Sequence, residues 1–304
     1  MAATAPQTFD SAFDVEDVEY LRHGDTSLLA RLFKPRGTGP FPAVVELHGG
    51  AWCLGDRLQD TSINEQLARH GILVAALDFR VPPAASYPGS VQDIHYGIRW
   101  LKTQAARLGS RPEMVCTFGI SSGGHLAMLL GMRPQDTRYS ALPLSGSAVD
   151  AKVRGVIMGA PVIDPVGRYR YAKQLKESGK SYPEFVDLVV PLHDKYWKTE
   201  EAMIEGNPVQ ALERGERVEL PPVLYIQDTR DIVHPRPQLE RFVELYRKAG
   251  GQLDLELSEG AADAFAPRNP PQALARQFEK RDPSSPTAMR VVEKMVAFVR
   301  EHTR

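Results

Sequence analysis

The chain has 304 residues with 42% apolar and 25% charged content, proportions that place it among ordinary globular proteins and exclude disordered or fibrous classes. Its net charge of −1 comes from both signs mixed along the chain, so docking to nucleic acid or to an anionic membrane is not expected. Two cysteines, Cys53 and Cys116, make no disulfide framework, the first 13 residues lack the pattern of a secretory signal, and no apolar run is long enough for a membrane span, so the expected location is cytoplasmic.

A polar arm of about a dozen residues precedes two strand candidates, at 18–21 and 28–33, and a Pro/Gly turn at 35–42. From there short apolar strands alternate with helices. Strands are predicted at 43–47, 72–78, 114–120, 153–158, 223–227 and 253–257. Helices are predicted at 62–70, 91–106, 123–132, 238–248 and 287–301; the second carries Ile94, Ile98 and Leu101 on one face. The alternation predicts a single α/β domain over 1–304, built on a mostly parallel eight-stranded sheet covered by helices on both faces. Ligands in such sheets bind beyond the carboxyl ends of the strands. The stretch 164–221 breaks the alternation and has helical patches at 168–177, 184–195 and 200–205. A structureless loop of that length is improbable, and the segment reads as a helical cap over the strand ends.

Gly119-Ile120-Ser121-Ser122-Gly123 falls between a predicted strand and a predicted helix, the context a G-x-S-x-G nucleophile elbow requires. So tight a turn needs small residues on both sides of the serine, and the following helix aims its N-terminal amides at the site. His48-Gly49-Gly50-Ala51-Trp52 follows another strand. Its glycines let backbone N–H groups approach a developing oxyanion, so Gly49, Gly50 and Ser122 are the candidate oxyanion donors.

These motifs, with Asp56-Arg57, Asp78-Phe79-Arg80, Tyr87-Pro88-Gly89 and Gly123-Gly124-His125-Leu126-Ala127, resemble the hormone-sensitive-lipase-like carboxylesterase branch of the α/β-hydrolases. They are similar also to feruloyl-esterase-like and kynurenine-formamidase-like relatives. The resemblance spans about residues 43–265. It implies the α/β-hydrolase fold and hydrolysis of a small carboxylic ester or amide through an acyl-enzyme at Ser121, with no cofactor. It further places the triad acid after the next-to-last strand, at Asp231, with Asp228 as the nearby alternative, and His125 and His48 as packing residues around the site.

The family's histidine comes just past the last strand, in a Gly-x-x-His-x-Phe setting, where this chain reads Gly260-Ala261-Ala262-Asp263-Ala264-Phe265. Asp263 therefore holds the third catalytic position. An aspartate is a poor base for this chemistry, since its ordinary pKa lies well below neutrality. Four accounts fit: an engineered replacement of histidine; natural loss of hydrolysis with the pocket retained, as in the plant gibberellin receptors of this branch; His234, three residues after Asp231, swinging in as a substitute base; or Asp263 acting as itself in lyase or decarboxylase chemistry. The first two rank together, ahead of the third, with the fourth last.

The residue types of Asp228, Asp231, His234 and Asp263 would suit a metal, but their spacing is no ligand pattern and no metal is expected. Cys53 is read as a pocket wall. Trp52, Tyr196, Trp197 and Phe265 are the candidate substrate-binding residues, with Tyr169, Tyr171 and Tyr182 as further cap aromatics pointing to an aromatic or apolar substrate group. The partner is expected to be a small-molecule ester or amide; a non-catalytic binding protein on the same scaffold is the alternative, and a homodimer is left open.

Overall fold

The computed structural model describes residues 12–144, 148–179, 181–268 and 272–304. Eight strands form one sheet: β1 (Phe13–His23), β2 (Thr26–Pro35), β3 (Ala43–Leu47), β4 (Leu73–Leu77), β5 (Val115–Ile120), β6 (Val156–Gly159), β7 (Val223–Gln227) and β8 (Leu253–Leu257). Their spatial order is β1-β2-β4-β3-β5-β6-β7-β8. The strands from β3 onward are parallel to one another, and β1 and β2 add an antiparallel edge. β3, β4, β5, β6 and β7 are buried along their whole length, as the short apolar runs of a two-sided parallel sheet require.

The interstrand helices are α1 (Thr61–Arg69), α2 (Gly89–Gln104) and α3 (Ser122–Met132). Between β6 and β7 come α4 (Pro165–Glu177), α5 (Phe185–Trp197), α6 (Glu200–Glu205) and α7 (Pro208–Glu213); α8 (Arg236–Lys248) and α9 (Pro286–His302) follow. α4, α6 and α7 start on side-chain caps from Asp164, Thr199 and Asn207, so an insertion with no sheet pairing still satisfies its first backbone amides. Two apolar clusters pack on the sheet. One gathers α2, α3 and α8 residues such as Ile98, Leu126 and Phe242; the other gathers Leu67 of α1 with Val292 and Met295 of α9.

β1 is much longer than the 18–21 expected. Its acidic residues conceal the strand from an apolar pattern, but they pair across the edge: Asp17 with Arg31 at 2.9 Å, Glu16 with Lys34 at 3.3 Å and Asp14 with Arg36 at 2.5 Å. Charge along an exposed edge also opposes pairing with another chain. β6 is displaced the other way, starting at Val156 and running to Gly159. Register sets Leu47 beside Gly119, Ile120 beside Gly159 and Gly159 beside Ile226, so β3, β5, β6 and β7 end abreast. The loops that follow them converge on one spot. Among the described residues no helix is long and apolar enough to cross a membrane.

Candidate active site

Ser121 occupies the single residue between β5 and α3, with φ 54° and ψ −115°. That left-handed conformation is strained for a residue with a side chain and persists only where its surroundings enforce it. Here the serine amide donates to Gly159 O at 2.8 Å, and its carbonyl accepts from Val162 N at 3.0 Å and His125 N at 3.1 Å. The flanking glycines are steric necessities. A Cβ on Gly123 would stand 2.0 Å from Leu47 O, and one on Gly119 would stand 2.3 Å from the Gly123 backbone.

Ser121 Oγ lies 3.1 Å from Nε2 of His234, and His234 Nδ1 lies 2.8 Å from Asp231 Oδ2. Both members of the pair sit on the loop between β7 and α8. Asp231 Oδ1 accepts the backbone N–H groups of Val233 at 2.8 Å and His234 at 3.1 Å, a tight Asx turn that leaves Oδ2 for the imidazole. The His234 carbonyl is held in turn by Gln227 Nε2 at 2.9 Å. Burial pushes the Asp231 carboxyl up, but the facing imidazole and the two amides outweigh it and hold the group below its ordinary value. Asp231 is therefore ionised at neutral pH and accepts from Nδ1–H, which leaves Nε2 as the acceptor for the serine hydroxyl. Such a relay can take a proton from a hydroxyl and return it to a leaving group.

Asp263 is not brought to the serine. Residues Ala261–Phe265 wind into a 3₁₀ helix, whose three-residue turn points Ala262 and Phe265 at the cavity. The Asp263 carboxylate instead accepts from Ser285 Oγ at 3.3 Å, at the cap of α9, where a helix N-terminus favours negative charge. The histidine that the structure brings to Ser121 is His234, the third of the four accounts, at 3.1 Å. Asp228 is likewise elsewhere, accepting Gly260 N at 2.8 Å and so tying the β7 and β8 loops together.

The cavity beside Ser121 is lined by Gly49, Gly50, Asp231 and His234, by Gln59 and Asp60, by Arg168, Phe185, Leu188, Val189 and Leu192 of the insertion, and by Ala262, Phe265, Phe278 and Arg281. Gly49 is close enough that a Cβ on it would stand 3.6 Å from Ser121 Cβ. Ser122, the third expected amide donor, opens α3 and is buried. Phe265 reaches the cavity, but Trp52, Tyr196 and Trp197 do not. They form a buried aromatic cluster in which Trp52 stacks on Tyr196 at 5.5 Å and meets Trp197 edge-on at 5.4 Å. The Trp52 indole donates to His125 Nδ1 at 3.1 Å, and His125 Nε2 donates to Gly206 O at 2.7 Å, so the cluster locks the insertion onto α3. Cys53 is also outside the lining, its thiol directed to Leu192 O at 3.4 Å and pushed up by burial to about 11. His48 stacks on Phe79 at 4.1 Å, and its Nδ1 donates to Gly49 O at 2.9 Å.

A buried carboxyl pair stands beside the cavity, with Asp60 in its wall. Glu46, in the middle of β3, and Asp60 are both buried and face each other; burial pushes Asp60 up to about 7 and Glu46 well above the usual carboxylate range. Two such groups hold at least one proton between them at neutral pH. Among the described residues no cluster of metal-ligating side chains occurs.

A serine on a strand-to-helix elbow, relayed to a histidine and an acid above the carboxyl ends of a parallel sheet, defines an α/β-hydrolase. The chain belongs to the BD-FAE family, whose model matches residues 32–244 and so includes Ser121, Asp231 and His234. It is 29% identical over 239 residues to esterase LipC of Mycobacterium tuberculosis, an alignment covering 76% of this chain and 55% of LipC. It is 25% identical over 217 residues to versiconal hemiacetal acetate esterase of Dothistroma septosporum, covering 65% of this chain and 63% of that one. The chain thus spans roughly half to three-fifths of the length of these curated relatives. In fold it is similar to esterase B of Lactobacillus rhamnosis, with a TM-score of 0.72 at 22% identity over 97% of this chain and 87% of that chain. The hyperthermophilic esterase of Pyrobaculum calidifontis gives 0.70 at 20% identity over 97% and 88%.

Proposed function

We propose that this protein hydrolyses carboxylic esters through an acyl-enzyme on Ser121, with His234 as general base and acid and Asp231 as the residue that orients and charges it. The observation that carries the reading is the continuous relay, 3.1 Å from Ser121 Oγ to His234 Nε2 and 2.8 Å from His234 Nδ1 to Asp231. The esterase names of its relatives support the same reaction class.

In this reading His234 removes the serine proton as Oγ attacks the ester carbonyl. The amides of Gly49, Gly50 and Ser122 receive the negative charge that develops on the carbonyl oxygen. The imidazolium, stabilised by Asp231, returns the proton to the departing alkoxide, and a water activated by the same nitrogen then releases the acid. The segment 164–221 acts as a cap, its α4 and α5 side chains closing the acyl or alcohol pocket that the sheet leaves open. The alternative of binding without turnover has no observation in its favour, since an assembled relay serves no purpose in simple binding.

The experiment is hydrolysis of p-nitrophenyl butyrate by the wild type and by Ser121→Ala, with a phosphonate ester used to titrate the serine. Turnover abolished by the substitution, with one phosphonate bound per wild-type chain and none on the variant, is the expected result. Turnover that survives Ser121→Ala would sink the proposal.

A further inference from the structure

Arg168 lies near the start of α4, where its backbone N–H donates to Asp164 O at 2.9 Å. Its side chain turns inward, is 6% exposed, and reaches the cavity that holds Ser121. Nε and Nη1 of its guanidinium have no hydrogen-bond partner among the described residues. The α5 residues that line the same cavity, Phe185, Leu188 and Val189, are apolar, and the guanidinium also acts electrostatically on the buried His193. The carboxylate that acts on it electrostatically is Asp231, already engaged by His234. Burial pulls the guanidinium down to about 10, which leaves it protonated at neutral pH.

Arg281, the other arginine of the cavity, is differently placed. It donates to Phe265 O at 3.0 Å, lies over the Phe278 ring at 4.6 Å, and is surrounded by the charges of Asp231, Asp263, Asp60 and Asp228. Arg281 is accounted for by the protein itself; Arg168 is not. A buried guanidinium with unmade hydrogen bonds is unfavourable unless an anion arrives to complete it, and its planar fork matches a carboxylate.

We propose that Arg168 is a carboxylate-binding subsite, so that the substrates are esters bearing a carboxylate as well as the scissile bond. The inference rests on the esterase reading above. One buried guanidinium that the protein leaves unpaired balances a single negative charge, which favours a carboxylate over a doubly charged phosphate. The carboxylate belongs either to the acyl part or to the alcohol part of the ester, and substrate pairs separate the two.

The test compares kcat/KM for p-nitrophenyl hydrogen glutarate with p-nitrophenyl butyrate, and for 4-acetoxybenzoate with phenyl acetate, in the wild type, Arg168→Met and Arg168→Lys. In one pair the wild type should favour the anionic ester, and Arg168→Met should lower the anionic-to-neutral ratio roughly 30-fold, about 2 kcal/mol. Arg168→Lys should recover part of that ratio, since it keeps the charge and loses the fork. A purely structural role would lower both members of a pair together. Ratios unchanged in both pairs, with the esters still hydrolysed, would overturn the subsite and leave the esterase reading standing. If the wild type turns over none of the esters, that reading fails instead, and calorimetry with monomethyl glutarate and benzoate decides the subsite. Binding lost in Arg168→Met would support it, and no binding to the wild type would overturn it.

Discussion

Replacing His234 by alanine separates the two candidate bases, because the structure gives each a distinct environment. In the variant the Ser121 hydroxyl loses its acceptor at 3.1 Å, and the Asp231 carboxylate behind it is left facing the gap. Asp231 is a weak substitute, since its carboxylate stands behind the removed imidazole rather than against the serine, and an aspartate is in any case poorly matched to proton transfer near neutral pH. Asp263 offers no help, committed as it is to Ser285 at the cap of α9. In subtilisin, loss of the triad histidine costs about 10⁶ in kcat, and oxyanion stabilisation and binding retain about 10³–10⁴ over water. The expected loss for His234→Ala is therefore about 10⁴- to 10⁶-fold in kcat, or roughly 5–8 kcal/mol. Asp263→Asn, which keeps an acceptor for Ser285, should change kcat by less than about threefold, within the small effects usual away from a site. Asp263→His should bring no gain. The assay is p-nitrophenyl ester hydrolysis at pH 7.5 on variants whose melting curves confirm a folded state. Retention of more than about a tenth of wild-type kcat in His234→Ala, or a large gain in Asp263→His, would refute this assignment of the base.

Asp231→Asn should lower kcat by about 10⁴-fold with the fold intact. Its Oδ1 can still accept from Val233 and His234, while the amide at the other position favours the wrong imidazole tautomer; melting curves and steady-state kinetics check both halves. The Glu46–Asp60 pair predicts a pH-dependent stability. A carboxyl whose folded value is raised to about 7 costs nothing below its unfolded value, destabilises progressively as pH climbs toward 7, and costs a constant amount above that. The shift corresponds to at most about 4 kcal/mol. Asp60→Asn should therefore raise the melting temperature relative to wild type more at pH 8 than at pH 5. An equal difference at both pH values would falsify the buried-pair reading.

The sheet was legible because parallel strands buried on both faces must be short apolar runs, and 43–47 and 223–227 match β3 and β7 at both ends; 253–257 matches β8 as well, an edge strand that alternates apolar with acidic residues and is only partly buried. The extent of β1 was hidden because its stability comes from cross-strand ion pairs that an apolar pattern does not register. Ser121 and the glycine loop were legible because the elbow's geometry forces its residue types. His234 is legible in the sequence as a substitute base three residues after Asp231, while the family resemblance places the histidine past β8. The structure engages the other seven histidines elsewhere. Of the eight histidines, His48 and His125 brace the loops around the elbow, His70, His95 and His193 bond backbone carbonyls, and His23 pairs with Asp93. His302 packs against Phe298 far along α9. Composition does not tell a pocket wall from a packed cluster, and Trp52, Tyr196 and Trp197 are the latter. Arg168 carried no sequence signal, as its isolation exists only once α4 and α5 close around it.

Setting Asp231 and His234 three residues apart changes what the rest of the chain must hold in register. The pair travels as one rigid tooth on the loop after β7, its internal spacing fixed by the Asx turn. The serine rides on β5, and β6 alone separates the two strands. A shear or slip between β7 and β8 therefore leaves the relay aligned, whereas a histidine carried beyond β8 would have to be realigned with every such movement. The stretch after β8 is accordingly free of that tolerance, and it serves instead as masonry: Phe265 in the cavity wall, Asp263 as a mooring for α9.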